Sequence, residues 1–103
     1  MLGLGTWEFQ ENTMFYRGRV LLVLADKDGE YDVTLDLPGV DVPDFEIVNM
    51  AQDGNTIAGA VKTSLLKGKE IPFSVTFDGD TANGFMKIPF MGKITMKDGK
   101  RIA

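Results

Sequence analysis

Apolar and polar residues alternate with a period of two along much of the chain. In residues 31–37, 71–77 and 86–90, every second residue is apolar. This alternation is typical of β-strands that have one buried and one solvated face. No segment repeats its apolar residues with the period of a helix. The pattern predicts eight strands, at about residues 4–10, 14–25, 29–37, 44–51, 55–63, 70–78, 81–89 and 91–98.

Asp-Gly pairs mark the ends of several predicted strands. An Asp-Gly pair between alternating apolar residues is a strong hairpin signal, because the tight turns that join antiparallel strands need positive φ angles. We therefore expect a turn at each of the four pairs, Asp28-Gly29, Asp53-Gly54, Asp78-Gly79 and Asp98-Gly99.

Regularly spaced strands joined by tight turns indicate an up-and-down antiparallel meander. A meander of about eight strands tends to close on itself, since closure removes the unpaired edges of the sheet. We therefore predict an all-β fold in which residues 1–103 form one domain, a small closed or partly open barrel. A two-layer β-sandwich uses the same alternation and stays open as an alternative.

The composition narrows the possible chemistry. Of the 103 residues, 44% are hydrophobic and 25% are charged, which is usual for a globular domain. The chain has no cysteine and no histidine, so it lacks disulfides, thiolate metal ligands and the commonest general base. Its only serines are Ser64 and Ser74. We expect a protein that is not an enzyme and that holds no metal and no cofactor.

The sequence also limits the possible partners. A net charge of −4 without a basic, aromatic stripe argues against nucleic acid, and no apolar run approaches the roughly 18 residues of a membrane span. In the second strand, however, Leu21 and Val23 fall on the same face as Arg17 and Arg19. Either the chain itself covers these two apolar side chains, or they form an interface with a second copy or a neighbouring domain.

One short motif carries a resemblance to a known group of proteins. Gly5-Thr6-Trp7 is a Gly-x-Trp motif at the start of the first predicted strand. Followed by eight meander strands with Asp-Gly turns, it resembles the calycin superfamily, and a short lipocalin-like domain in particular. The resemblance implies that Trp7 plugs the closed end of the barrel and that Arg101, or less directly Arg17, stacks over it by a cation–π contact. It also implies a bacterial protein that is secreted or extracytoplasmic.

The resemblance implies a non-enzymatic domain that binds a small apolar ligand. The inward aromatic side chains would form the ligand site, namely Trp7, Phe9, Tyr31, Phe73, Phe77 and Phe90. The chain is short and several aromatic side chains point inward, so we expect a shallow site or none rather than a deep cup. Two alternatives remain: an interaction module that dimerises or docks through Leu21 and Val23, and an accessory domain of a larger hydrolase.

Overall fold

A computed structural model describes residues 1–12, 16–39, 44–64, 69–89 and 92–103, and these residues form one antiparallel sheet of eight strands. The predicted all-β meander is confirmed, with strand ends that differ from the predicted ones by three residues or fewer. The strands are β1 Gly5–Asn12, β2 Arg17–Lys27, β3 Glu30–Asp36, β4 Phe45–Asp53, β5 Thr56–Thr63, β6 Glu70–Asp78, β7 Thr81–Ile88 and β8 Gly92–Arg101.

The sheet curls into a nearly closed barrel. Its strand order is β3-β2-β1-β8-β7-β6-β5-β4, so the first and last strands of the chain lie side by side. Trp7 of β1 pairs with Arg101 of β8, and the Ile102 amide donates to the Thr6 carbonyl at 2.8 Å. Among the described residues β3 and β4 are not paired, which leaves one seam. A single curled sheet, rather than two layers, therefore encloses the core.

Three of the four predicted Asp-Gly turns are present. Between β2 and β3, Asp28 and Gly29 both have positive φ, 55° and 87°, as a type I′ turn requires. Gly54 and Gly79 each have φ of 59° at the first central position of the β4–β5 and β6–β7 hairpins, as in type II′ turns.

The prediction of a turn at Asp98-Gly99 is wrong. Both residues lie within β8, and the register between β7 and β8 shifts between Ala82 and Gly84. Asp98 has φ of 55°, and its amide donates to Oδ1 of Asn83 on β7 at 2.9 Å. This is a β-bulge, which adds a residue to one strand and bends it without reversing the chain.

The barrel has two ends that contain different elements. The Trp7 end holds the β2–β3, β4–β5 and β6–β7 turns together with the start of β1 and the end of β8. The far end is where β1 ends at Asn12 and β5 ends at Thr63. The buried core lies between them and is anchored at Trp7 and Phe9, whose side chains are 0% and 1% exposed.

Candidate functional site

A cavity of about 220 Å³ lies inside the barrel. All eight strands contribute inward side chains to it, and Thr63 is the one polar residue among the described residues of its lining. The lining residues are Phe9, Val20, Leu22, Leu24, Val33, Leu35, Phe45, Ile47, Met50, Ile57, Val61, Thr63, Ile71, Phe73, Val75, Phe77, Met86 and Met96. An eight-stranded barrel is just wide enough for its side chains to fill it or for one small ligand to remain inside.

Trp7 closes one end of this interior. Its indole Nε1 donates a hydrogen bond of 2.8 Å to the Gly3 carbonyl, and its ring centroid lies 4.9 Å from that of Phe77. The Arg101 guanidinium carbon lies 4.9 Å from the Trp7 ring centroid, so the expected cation–π stack is present and uses Arg101. The buried indole is thus both hydrogen-bonded and covered by a cation, which fixes its position.

Tyr31 belongs to the same closed end. Its hydroxyl donates to the Leu2 carbonyl at 2.7 Å and so ties the N-terminal segment across the base of the barrel. Burial raises the pKa of the Tyr31 phenol, which keeps the hydroxyl a neutral donor.

The predicted aromatic ligand residues therefore separate into two groups. Phe9, Phe73 and Phe77 line the cavity, whereas Trp7 and Tyr31 are absent from its lining and pack at the Trp7 end. Phe90 lies outside the described residues. Most of the cavity wall is aliphatic. The predicted ligand residues are all aromatic, so they do not include these aliphatic side chains.

Neighbouring residues on β7 confirm which face of that strand is inward. Met86 lines the cavity, while Phe85 points outward and holds the Lys93 Nζ 4.6 Å from its ring centroid. The sequence indicates that these two side chains cannot share the interior, because consecutive residues of a strand face opposite sides. The structure assigns Met86 to the inside.

Sequence reasoning missed one inward residue that bears a charge. Glu11 follows Trp7 and Phe9 at alternate positions of β1, so it lies on the same face of the strand, toward the far end. Its Oε1 is buried, and no described residue donates a hydrogen bond to it. Burial raises the pKa of the Glu11 carboxyl. Extending the predicted first strand by two residues would have identified it.

Leu21 and Val23, the predicted interface residues, lie on the outer face of β2 and are half-buried. The cross-strand neighbours of Leu21 are Glu8 and Asp36. Those of Val23 are Thr6 and Thr34. Polar side chains therefore flank both residues, and the apolar surface that they offer is small.

No protein-family model, no curated protein and no solved structure matches this chain. Among the described residues there is no helix long and apolar enough to cross a membrane. The barrel is compatible with a lipocalin-like architecture in its strand number and in its meander order. What the cavity does must therefore be argued from its own geometry.

Proposed function

We propose that this barrel is a lipocalin-like, non-enzymatic binding domain that holds one small apolar molecule in its interior. The observation that carries the proposal is the 220 Å³ cavity with its apolar wall. Native interiors are packed nearly as densely as organic crystals and contain few voids larger than a water molecule. An apolar space of this size leaves its wall short of contacts that an apolar ligand would supply.

The volume sets the size of the ligand. An apolar cavity of about 150 Å³ stays dry and binds benzene. The 220 Å³ available here suits a slightly larger molecule, such as a substituted ring or a short alkyl chain. Ordinary drug-sized pockets begin at about 300 Å³, so this site is a small one.

The wall of the cavity supports binding rather than catalysis. Among the described residues that line the cavity none is a general base, and the surface that they present to it is apolar. An apolar ligand would make dispersion contacts with these side chains, and its binding would remove apolar surface from water.

Titration with the neutral fluorophore N-phenyl-1-naphthylamine tests the proposal. We expect one saturable site per chain. Val61 faces the cavity, so Val61→Trp should fill the space and weaken probe binding by at least about tenfold. Native mass spectrometry of the freshly purified protein would reveal a co-purified ligand as an added mass that is lost on denaturation.

The matched control is Lys62→Trp, which places the same side chain one residue further along β5, on the exposed outer face. It should bind the probe as the unmodified protein does. Probe binding that is unsaturable, or that is equal in the two variants while both remain folded by circular dichroism, would refute an interior site.

A further inference from the structure

Among the described residues, the sheet lacks a hydrogen-bonded ladder only at the seam between β3 and β4. The Cα atoms of these two strands stay more than 8 Å apart along most of their length, whereas directly paired strands hold theirs at about 4.5–5.5 Å. A strand inserted between two neighbours separates them by about 9.5 Å. The seam is therefore too wide for direct pairing, and an added strand is what would close it.

The edge of β3 presents regularly spaced backbone groups to the seam. Lys27 and Glu30 flank the two-residue turn and pair across it, so they form the hydrogen-bonded pair that begins the β2–β3 ladder. Hydrogen-bonded and non-hydrogen-bonded pairs then alternate along an antiparallel ladder. The amides and carbonyls of Tyr31, Val33 and Leu35 therefore point away from β2 and toward the seam. An edge of this kind is a template for an added strand.

The edge of β4 is less regular. The register between β4 and β5 shifts between Val48 and Ala51, and Asn49, which lies within this bulge, has a positive φ of 55°. A bulge bends its strand and interrupts the ladder. Consecutive strands of the meander alternate in direction, so an inserted strand is parallel to one neighbour and antiparallel to the other. Antiparallel pairing is slightly the more stable, and we expect it on the regular edge of β3.

The inner face of the seam is apolar. Val33 and Leu35 of β3 and Phe45 and Ile47 of β4 line the cavity, and all four side chains are half-buried. Alternate side chains of an inserted strand would point to this face. Apolar side chains at those positions would therefore enter the cavity and contact its wall.

The outer face of the seam is acidic. β3 and β4 carry no basic residue, and their five acidic residues are all exposed, namely Glu30, Asp32, Asp36, Glu46 and Asp53. The cross-strand neighbours of Asp32 and Asp36 on β2 are Ala25 and Leu21, which carry no charge to offset theirs. The outward side chains of an inserted strand would therefore meet negative charge on both sides.

We propose that the seam binds an extended segment of a partner protein in which apolar and basic residues alternate. The backbone of this segment adds a strand to the edge of β3, its apolar side chains enter the cavity, and its basic side chains face the acidic residues outside. A second copy of this chain is disfavoured at the same edge, because it would bring the acidic residues of two β3 strands together. The proposal requires no small-molecule ligand and goes beyond the proposed function.

Isothermal titration calorimetry with the acetylated and amidated peptide Lys-Val-Lys-Leu-Lys-Val-Lys tests the proposal. We expect one saturable site per chain. The same peptide with glutamate in place of lysine should bind at least about tenfold more weakly, because its outward charges match those of the seam. N-methylation of every amide that would face β3 should abolish binding, since a methylated amide cannot donate to the strand edge.

A charge reversal at the seam locates the site. Asp32→Lys combined with Asp36→Lys changes two exposed side chains of β3 and should weaken binding of the lysine peptide by at least about tenfold. The matched control is Glu70→Lys combined with Asp78→Lys, which makes the same change in net charge at exposed positions of β6, a strand that is paired on both sides. This control should bind the peptide as the unmodified protein does.

Equal weakening in the two double variants, or undiminished binding of the N-methylated peptide, would mean that overall charge attracts the peptide, and it would overturn the proposal. Absence of peptide binding by a protein that still binds N-phenyl-1-naphthylamine would also overturn it and would leave the proposed function intact. Saturable binding of the peptide by a protein that does not bind the fluorophore would support the strand site and remove the proposed function.

Discussion

The two ends of the barrel are made from the same strands but are filled differently. At the Trp7 end, Trp7, Phe77 and Ala82 are at most 4% exposed and pack against one another and the N-terminal segment. Toward the far end, Phe45 and Ile71 are half-buried and border the cavity. Strand pairing runs through both regions, so the difference comes from how the interior is occupied. The most closely packed side chains are therefore at the Trp7 end, and the half-buried ones are toward the far end.

Matched truncation of one phenylalanine from each region should show the largest difference. Phe77→Ala removes a ring that is 4% exposed and that packs on Trp7, so we expect a loss of about 3–5 kcal/mol in the free energy of unfolding. Phe45→Ala removes a ring that is only half-buried and therefore has fewer contacts to lose. Its cost should be about 1–2 kcal/mol.

Urea denaturation of both variants measures this difference. Equal losses of free energy would mean that the far end contributes as much to stability as the Trp7 end does, which would contradict the proposed difference between the two ends. Phe45→Ala should also enlarge the cavity, and binding of a bulkier apolar probe would sharpen the contrast.

The close packing around Phe9 predicts a second, smaller effect. A Cβ atom on Gly99 would lie 2.6 Å from Cζ of Phe9, which is too close for any real side chain. Gly99→Ala should therefore cost about 1–3 kcal/mol through overpacking.

A second substitution tests whether the contact between these two residues causes the loss of stability. Adding Phe9→Leu removes the ring that the methyl group introduced by Gly99→Ala would contact. The double variant should therefore lose less free energy of unfolding than the sum of the losses in the two single variants. Strict additivity in this cycle would show that the two residues do not interact.

The cation over Trp7 should contribute less. Arg101→Met keeps an apolar stem and removes the guanidinium, at an expected cost of about 0.5–1 kcal/mol in the free energy of unfolding.

Arg101 also faces Asp80 at 3.6 Å, but the Asp80 side chain is 79% exposed. Asp80→Asn should therefore change the stability by less than about 0.5 kcal/mol. A larger effect of Asp80→Asn than of Arg101→Met would show that the ion pair, and not the stack on the indole, is what stabilises this end.

The sequence was sufficient to predict features that depend on local patterns. Alternation identified the strands, and the positive φ that tight turns require identified three hairpins. Asp98-Gly99 was misassigned because the same dipeptide suits a turn and a bulge. What decides between them is the pairing of β8 with β7, including the hydrogen bond from the Asp98 amide to Asn83, and this contact is not local in sequence.

The cavity and its border depend on non-local packing as well. The sequence marks Trp7 and Tyr31 as inward aromatics, but it does not show that they fill the base of the barrel and leave the middle to aliphatic residues. Glu11 escaped notice because the first strand was predicted to end at residue 10, whereas β1 continues to Asn12. The alternate positions of Trp7, Phe9 and Glu11 indicate that all three face the same side of β1. A charged residue interrupts the apolar pattern, however, so the strand was predicted to end before it.

The smallest expected effect is a pH dependence that belongs to the far end alone. Burial raises the pKa of Glu11 in the folded protein, so the folded state binds its proton more tightly than the unfolded state, where a glutamate titrates near about pH 4.3. Stability from this group is therefore present at low pH and is lost as the pH rises through the raised folded value. Glu11→Gln should accordingly stabilise the unliganded protein at neutral pH, and the gain should shrink as the pH falls toward the ordinary glutamate range. Melting temperatures of the two proteins across this range measure the difference, with Glu8→Gln as the control. If the increase in melting temperature caused by Glu11→Gln did not change with pH, burial would not be disfavouring the charged form of Glu11. This difference between the two ends of the barrel would then not exist.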